Sequence, residues 1–316
     1  MKILANDGIS QSGIDDLTAA GFEVLTTTVA QEQLENFINA ENIVALLVRS
    51  ATTVRQDLID ACPGLKIIGR GGVGMDNIDV EYAREKGLSV INTPAASSES
   101  VAELVFAHLF SGVRFLYDSN KTMPLEGESK FKNLKKAYAK GTELRGKTLG
   151  VIGFGRIGQA TAKMALGLGM KVIAFDPFLE KTTLSLSFYD GQTVDFEIKT
   201  VSKEAVLKES DFITLHVPAQ KDFVIGKPEF DLMKDGAALV NAARGGVVNE
   251  VALVEALDSN KLSFAGLDTF ENEPSPAVQI LMNPKISLTP HIGAATNQAQ
   301  DRIGSELASQ IISILK

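Results

Sequence analysis

Short apolar runs alternate with amphipathic stretches along the whole chain. In the first third the runs are KILAN, FEVLTT, VALLVR, KIIGR and LSVINT. From residue 147 onward they are TLGVIG, KVIAFD, DFITLHV, AALVNAA, FAGLDTF and ISLTPH. Nearly continuous apolar runs separated by helical stretches are typical of parallel strands that helices cover on both faces. The pattern therefore predicts an α/β fold with two doubly wound, Rossmann-like parallel sheets.

Three further segments carry a pattern of their own. Residues 97–120 include the run VAELVFAHLF after a group of serines, which predicts a capped, buried helix that links domains or packs on a second subunit. Near the C-terminus, apolar residues four positions apart predict an amphipathic helix: Ile303, Leu307, Ile311 and Leu315. In SLSFYDGQTVDFEIK, Asp190 and Gly191 separate two alternating runs, which predicts a surface β-hairpin.

Composition narrows the class of protein. A chain of 316 residues predicts about two domains of ordinary size. The net charge of -8 argues against nucleic acid or an anionic membrane as the main partner, although a local basic pocket could still hold a small anion. The single cysteine, Cys62, excludes an internal disulfide and a cysteine-based zinc site. The N-terminus lacks a signal-peptide pattern and no apolar run approaches a membrane span, so we expect a cytoplasmic protein.

The glycine pattern G-x-G-x-x-G occurs twice, and only one copy has the surroundings that a dinucleotide needs. Gly153, Gly155 and Gly158 follow the strand TLGVI and open a helical stretch without an acidic residue. A pyrophosphate binds such a helix N-terminus through its backbone N–H groups. The copy at Gly69, Gly71 and Gly74 is followed closely by three carboxylates, which would repel a pyrophosphate. We therefore assign the copy at residue 153 to the dinucleotide.

The end of the following strand indicates which dinucleotide is bound. Asp176 closes KVIAFD, 18 residues after Gly158, which is the expected distance for an acid that binds the ribose hydroxyls. A carboxylate accepts a hydrogen bond from a 2′-hydroxyl and repels a 2′-phosphate. The sequence therefore favours NAD over NADP.

Three polar residues at successive strand ends suit hydride chemistry at a carbonyl. Arg244 follows AALVNAA, Glu273 follows FAGLDTF, and His291 ends ISLTPH. An arginine binds a carboxylate in a planar pair, a histidine moves the hydroxyl proton, and a glutamate stabilises the imidazolium. Each residue taken alone is equally consistent with a structural role. Of the other histidines, His108 is expected to be packed within its helix and His216 to lie beside the cofactor.

Four motifs together resemble the D-isomer-specific 2-hydroxyacid dehydrogenases: GFGRIG with Asp176, NAARGGVVNE, GLDTFENEP and TPHIGAA. The resemblance implies that Arg244, Glu273 and His291 are catalytic. It also implies that the dinucleotide is bound by the glycines of the turn at residue 153 and by seven further residues: Arg156, Ile157, Asp176, Val217, Ala242, Asp268 and Gly293. It also implies a flavodoxin-like substrate domain of residues 1–96 and 292–316, a Rossmann domain of residues 97–291, a cleft between the domains, and a homodimer. No metal is required.

Within that family the chain is most similar to the branch that oxidises D-3-phosphoglycerate to 3-phosphohydroxypyruvate in serine biosynthesis. The similarity rests on VRSATTV, GRGGVGMDNID and KGTELRGKTLGVIGFGRIG. Arg49 and Arg70 end two strands and are expected to bind the phosphate, while Gly74 and Asn77 would line the carboxylate side. The basic run 130–140 could add charge, although a solvated helix face explains it better. The chain ends after its closing helix, so we expect no serine-sensing regulatory domain.

Two alternatives stay open at this point. One is another reaction of the same family, the reduction of glyoxylate, hydroxypyruvate or a larger 2-keto acid. The other is a dinucleotide-sensing interaction module, since such relatives of the family can keep the same polar residues. For either reaction the expected ligands are a small anionic 2-hydroxy or 2-keto acid and NAD, whereas the module would bind a partner with an affinity that follows NADH.

Overall fold

The computed structural model describes all 316 residues and divides the chain into two compact units. Unit 1 consists of Met1–Ser100 and Ala294–Lys316, and unit 2 consists of Val101–Gly293. None of the helices is both long enough and apolar enough to span a bilayer.

Unit 1 is built around a five-stranded parallel sheet in the order β2-β1-β3-β4-β5, the order of flavodoxin-like sheets. Its strands are β1 (Lys2–Ala5), β2 (Glu23–Leu25), β3 (Ile43–Val48), β4 (Ile67–Arg70) and β5 (Ser89–Asn92). A 3-10 turn spans Gln31–Gln33, and the helices are α1 (Gln11–Ala19), α2 (Leu34–Glu41), α3 (Gln56–Ala61) and α4 (Val80–Glu85).

Helices cover both faces of this sheet because its central strands are apolar on both sides. In β3, Leu46 and Val48 pack into one core, while Ala45 and Leu47 pack into the other. Cys62, at the C-terminal end of α3, is buried in the first core, where burial raises the pKa of the thiol to about 11. The thiol is therefore protonated and unreactive, as expected of a small buried hydrophobe.

Unit 2 is built around a six-stranded parallel sheet in the order β13-β12-β11-β10-β6-β7. Its strands are β6 (Thr148–Ile152), β7 (Lys171–Phe175), β10 (Phe212–Leu215), β11 (Ala237–Asn241), β12 (Leu262–Leu267) and β13 (Ile286–Leu288), and a separate antiparallel pair consists of β8 (Lys181–Ser187) and β9 (Thr193–Lys199). The helices are α5 (Ser98–Val113), which begins in unit 1, α6 (Leu116–Ala137), α7 (Arg156–Gly167), α8 (Lys203–Glu209), α9 (Lys227–Leu232), α10 (Glu250–Asp258) and α11 (Val278–Leu281).

The central strands of unit 2 are also apolar on both faces. In β11, Ala237 and Leu239 pack into one core, and Ala238 and Val240 pack into the other. The chain leaves β6 for β7 on one side and returns to β10 on the other, so the strand order reverses between β6 and β10. Open α/β sheets bind their ligands at the carboxyl ends of the strands next to such a reversal.

Every apolar run that we interpreted as a strand lies in one of the two parallel sheets, so the predicted fold class is confirmed. The predicted hairpin is β8–β9, with Asp190 and Gly191 in its turn. The predicted helix at 97–120 is instead two helices, because Phe115 adopts a left-handed conformation (φ 56°) between α5 and α6.

The last helix, α12 (Asn297–Leu315), belongs to unit 1. It packs on α1 at a point where neither helix has a side chain. A Cβ on Gly13 would lie 2.9 Å from the Cα of Gly304. Ile303, Leu307 and Ile311 are buried on its inner face, as the four-residue spacing predicts.

Candidate active site

The predicted catalytic and cofactor-binding residues of unit 2 all follow the carboxyl ends of its parallel strands. Each of the six strands is followed by at least one of them: Gly153 after β6, Asp176 after β7, Val217 after β10, Ala242 and Arg244 after β11, Asp268 and Glu273 after β12, and His291 and Gly293 after β13. Parallel strands point the same way, so one edge of the sheet carries all of these residues.

The glycine turn after β6 has the shape that a pyrophosphate needs. Gly153 has a φ of +90°, and a Cβ there would collide with the carbonyl of His216. A Cβ on Gly158 would collide with the carbonyl of Gly153, so the helix packs directly on the turn. Gly155 has open space where its Cβ would be, and it precedes α7 without a side-chain cap. The first N–H groups of α7 therefore have room for an anion, and these residues fit a dinucleotide.

Asp176 supports the turn from the end of β7. Its Oδ2 accepts the backbone N–H of Phe154 at 2.7 Å, and its Oδ1 accepts the N–H of Phe178 at 2.9 Å. A carboxylate oxygen can accept more than one hydrogen bond, so both oxygens retain capacity for ribose hydroxyls. Arg156 is exposed at the first position of α7, whereas Ile157 packs toward the core.

His216 and Val217 lie on the other side of the same turn. The side chain of Val217 would be 3.0 Å from a Cβ on Gly153, and Val217 also packs against the core of the unit. His216 Nε2 is 3.1 Å from the hydroxyl of Thr214, and its Nδ1 is buried without a hydrogen-bond partner. Burial lowers the pKa of His216 to about 3. The ring is therefore neutral and takes no part in proton transfer near neutral pH.

Arg244 lies in a loop that the side chain of Asn241 holds. The buried Asn241 accepts the N–H of Ala243 at 3.1 Å and donates to the carbonyl of Arg244 at 2.9 Å. The Arg244 Nη1 donates to the carbonyl of Ala243 at 2.7 Å. A Cβ on the next residue, Gly245, would collide with the carbonyl of Phe270, so this loop is in backbone contact with the loop after β12. Arg244 therefore lies on the loop next to the one that carries Glu273.

Glu273 and His291 form a direct pair. The His291 Nδ1 is 2.8 Å from Glu273 Oε2, and the other carboxylate oxygen accepts the N–H of Phe270 at 3.0 Å. An ionised carboxylate only accepts, so Nδ1 carries the proton in the neutral ring. That tautomer leaves Nε2 with the lone pair that can take a proton from a hydroxyl group. The side chains are 46% and 36% exposed, so the pair is accessible to a small ligand.

Asp268 holds the loop that contains His291. Its carboxylate is 1% exposed and accepts three hydrogen bonds, from the Thr289 hydroxyl at 2.6 Å, from the Ile292 N–H at 2.8 Å and from the Gly293 N–H at 2.9 Å. Two of these donors directly follow His291. His291 itself has a φ of 54°, a conformation that non-glycine residues adopt rarely. The buried carboxylate thus secures a turn that would otherwise be unfavourable.

A second pair of carboxylates joins the loop after β12 to α10. Glu250 accepts the N–H of Glu271 at 2.8 Å, and Glu271 accepts the N–H of Glu250 at 2.7 Å. Burial and the negative charge of Glu271 raise the pKa of Glu250 above its ordinary value. α10 follows the loop of Arg244 in the chain, so this reciprocal pair ties the segment after Arg244 to the segment before Glu273.

In unit 1, three of the four predicted substrate residues contact one another at the carboxyl ends of β3 and β4. Asn77 Nδ2 donates to the carbonyl of Arg49 at 2.7 Å, and Asn77 Oδ1 accepts from Arg70 Nε at 3.2 Å. Asp7, after β1, accepts the backbone N–H of Arg49 at 2.6 Å. Gly74 is half-buried in the loop that joins β4 to α4.

The glycine pattern of unit 1 differs from the one in unit 2. Gly69 lies within β4 and packs on Leu47, and Gly71 packs near Ile303. The next helix, α4, begins only at Val80 and has six residues. These glycines therefore allow close packing of the strand and a turn, and no helix begins directly after them.

Some residues that support the site have no signal in the sequence motifs. The apolar run around His108 predicts a packed histidine, and His108 is 2% exposed. The structure adds that both of its ring nitrogens are hydrogen-bonded to hydroxyls of the segment that ends in His291. A histidine within an otherwise apolar helix was the available signal, although nothing in the spacing indicates its partners.

Comparison with known proteins identifies the family. The family model described as D-isomer specific 2-hydroxyacid dehydrogenase, NAD binding domain, matches residues 106–293. The hydroxypyruvate reductase of Thermotoga maritima is 44% identical over 299 residues, which cover 93% of this chain and 91% of that protein. The D-3-phosphoglycerate dehydrogenase of Methanocaldococcus jannaschii is 41% identical over 319 residues, which cover 100% of this chain and 58% of that protein.

A solved structure extends the comparison to the fold. The D-lactate dehydrogenase of Aquifex aeolicus, complexed with NAD and lactic acid, has a TM-score of 0.75 and 30% identity, with 100% of this chain and 95% of that chain covered. Three predictions from the sequence are thereby confirmed: the family, an oxidoreductase as the class of protein, and NAD as the cofactor. This chain belongs to the family of D-isomer specific 2-hydroxyacid dehydrogenases.

Proposed function

We propose that this chain catalyses the NAD-dependent oxidation of D-3-phosphoglycerate to 3-phosphohydroxypyruvate. The observation that carries the reaction type is the hydrogen bond between His291 Nδ1 and Glu273 Oε2, which directs the basic Nε2 toward a substrate. The substrate is supported by the phosphoglycerate dehydrogenase relatives, which are 35% to 41% identical where they cover nearly all of this chain. The chain spans 58% or less of the length of these relatives, so the similarity is limited to the part of each relative that aligns with this chain.

In this proposal His291 Nε2 takes the hydroxyl proton of the substrate as the C2–H bond breaks. Glu273 stabilises the imidazolium that forms, because its carboxylate already accepts from Nδ1. Arg244 binds the carboxylate of the substrate and polarises the forming carbonyl oxygen. When bound, NAD supplies the acceptor for the hydride. The proton and the hydride together account for the two hydrogens that the alcohol loses.

The dinucleotide is held in this proposal by the turn after β6 and by Asp176. Val217, Ala242 and Gly293 would contact it from the loops after β10, β11 and β13. Arg49 and Arg70 of unit 1 would bind the phosphate end of the substrate, with Gly74 and Asn77 on its carboxylate side. Two guanidinium groups suit a phosphate, which can accept several charge-assisted hydrogen bonds.

A second substrate is favoured by one specific observation. The hydroxypyruvate reductase of Thermotoga maritima is 44% identical to this chain, whereas the phosphoglycerate dehydrogenases that cover nearly all of this chain are 35% to 41% identical. The same residues would then run the reaction in the direction of reduction, with His291 as the acid. The phosphate-binding role of Arg49 and Arg70 distinguishes the two candidates.

The test is a nicotinamide absorbance assay with D-3-phosphoglycerate, D-glycerate and D-lactate and NAD, and with hydroxypyruvate and glyoxylate and NADH. Phosphoglycerate should have the highest kcat/KM among the hydroxy acids. Arg70→Ala should raise KM about tenfold or more for the phosphorylated substrate and little for glycerate. Arg55→Ala is the matched control, since Arg55 pairs with Asp79 in the same region of unit 1. Equal effects of Arg70→Ala on both substrates would favour hydroxypyruvate reduction.

We also propose that the chain acts as a cytoplasmic homodimer in serine biosynthesis. Apolar side chains exposed along α5 and α6 support a subunit contact there: Phe110, Leu116, Met123, Leu125 and Phe131. Light scattering after size-exclusion chromatography tests the dimer, and a monomer mass at micromolar concentration would refute it.

A further inference from the structure

His108 connects helix α5 to the strand that leads to His291. Its Nδ1 is 2.9 Å from the hydroxyl of Ser287 on β13, and its Nε2 is 3.1 Å from the hydroxyl of Thr289 just after β13. The imidazole also packs on β12, where a Cβ on Gly266 would lie 2.6 Å from the Cβ of His108. The ring is therefore fixed between two strands and cannot turn without breaking both hydrogen bonds.

The direction of each hydrogen bond of His108 follows from Asp268, which is hydrogen-bonded to Thr289. The Thr289 hydroxyl is 2.6 Å from Asp268 Oδ1, and a carboxylate that receives two backbone N–H groups can only accept. Thr289 therefore donates its hydroxyl proton to Asp268, so the hydroxyl oxygen of Thr289 must accept a hydrogen bond from His108. Nε2 of His108 therefore carries a proton.

The other ring nitrogen completes the assignment. Burial lowers the pKa of His108, against a smaller opposite effect of the negative charge of Asp268, so the ring is neutral near neutral pH. In a neutral ring with the proton on Nε2, Nδ1 accepts from the Ser287 hydroxyl. The result is a one-way series of hydrogen bonds, from Ser287 to His108, from His108 to Thr289, and from Thr289 to Asp268.

We propose that His108 is a positioning residue for His291, acting through Thr289 and Asp268. Asp268 accepts the N–H groups of Ile292 and Gly293, which fix the turn that His291 occupies. His108 donates to the oxygen of Thr289 and so holds this hydroxyl group in the position from which its proton points at Asp268. This inference rests on the proposed role of His291 in proton transfer.

The first experiment separates positioning from stability by comparing variants of the full chain in the hydroxy acid assay. His108→Leu should lower kcat about 10- to 100-fold, because small displacements of an acid–base group are costly, while KM for NAD stays within about twofold. His108→Gln places an amide N–H near the position of Nε2 and should recover most of kcat. Ser287→Ala is the matched control, since it removes a hydrogen bond from the same ring without touching the link to Thr289.

Ser287→Ala should lower the thermal midpoint about as much as His108→Leu and leave kcat within about twofold of the original. Thr289→Val should reproduce the loss of kcat, and the double variant with His108→Leu should be no worse than Thr289→Val alone. Equal losses of kcat in His108→Leu and Ser287→Ala would overturn the proposal. Additive losses in the double variant would do the same.

The second experiment does not depend on turnover. Nitrogen NMR of the imidazole groups at about pH 8 should show His108 neutral with its proton on Nε2. The amide signal of Gly293 should shift in His108→Leu and stay in place in Ser287→Ala. A proton on Nδ1, or an unmoved Gly293 signal in His108→Leu, would refute the series of hydrogen bonds. If the chain oxidises no 2-hydroxy acid, the proposed function fails, while these spectra still decide on the connection between His108 and the His291 turn.

Discussion

Substitution of Gly155 by alanine should separate binding of the dinucleotide from folding. Gly155 has φ −72° and ψ −162°, which alanine adopts without strain, and no atom lies within 4 Å of the position of its Cβ. In place of glycine at a position that alanine can adopt, alanine stabilises the fold by about 0.4–1 kcal/mol, because it restricts the unfolded chain. At the N-cap of a helix alanine is less favourable than glycine, which destabilises the fold by a similar amount. The two effects offset, so the thermal midpoint should move by about 3 °C or less.

The same methyl group would stand where a pyrophosphate approaches the backbone. We expect the Kd for NADH to rise at least about tenfold, or about 1.4 kcal/mol, in a fluorescence titration. Gly153→Ala is the contrasting variant. Its φ of +90° and the contact with the His216 carbonyl should destabilise the fold by about 2 kcal/mol or more and lower the midpoint by about 5 °C or more. Unchanged NADH affinity in Gly155→Ala would place the pyrophosphate elsewhere, and a loss of stability like that of Gly153→Ala would refute the open space at the turn.

Three other changes test the chemistry of unit 2. Glu273→Gln keeps an acceptor for Phe270 and loses the charge beside His291, so kcat should fall about 10²-fold with KM for NAD unchanged, and an unaltered kcat would remove the pair from proton transfer. Asp176→Asn keeps an acceptor for the turn and no longer repels a 2′-phosphate, so the preference for NAD over NADP in kcat/KM should drop at least about tenfold; a constant preference would contradict this role. Because burial lowers the pKa of His216 to about 3, the unfolded chain binds a proton below about pH 6.5 that the folded chain does not. The free energy of unfolding of the original chain should therefore fall by about 1.4 kcal/mol for each unit by which the pH is lowered. The difference in the free energy of unfolding in urea between the original chain and His216→Asn should narrow from about pH 6 to about pH 5. A difference that does not change with pH would refute the lowered pKa of His216.

The sheets and the edge that carries the site were predictable because of how parallel strands are buried. A strand covered on both faces must be apolar at nearly every position, which makes runs such as AALVN and ITLHV visible in the sequence. The first polar residues after those runs then fall at one edge of the sheet. This reasoning placed Glu273 and His291 on neighbouring loops, and the structure shows that their side chains are hydrogen-bonded.

The contacts between loops could not be predicted in the same way. The sequence offers Asn77 only as a residue that would line the substrate, whereas the structure shows that its amide joins Arg49 to Arg70. The carboxylates of Glu250 and Glu271 each accept the backbone N–H of the other residue, although both side chains are acidic and a strand separates them along the chain. Such contacts depend on the conformation of each loop, which neither periodicity nor composition determines.

The turn at His291 is held from two sides, by an exposed residue and by a buried one. A φ of 54° is an unfavourable backbone conformation for histidine, so contacts with neighbouring residues must hold His291 in it and orient its ring. Glu273 orients the ring from the exposed side, while Asp268 holds the two peptide groups that follow. If the backbone relaxed, the Nε2 of His291 would move even with Glu273 in place. The position of the His291 ring therefore depends on the buried Asp268. If His291 moves the proton as proposed, substitutions that disturb Asp268 should lower kcat before they raise KM for the hydroxy acid.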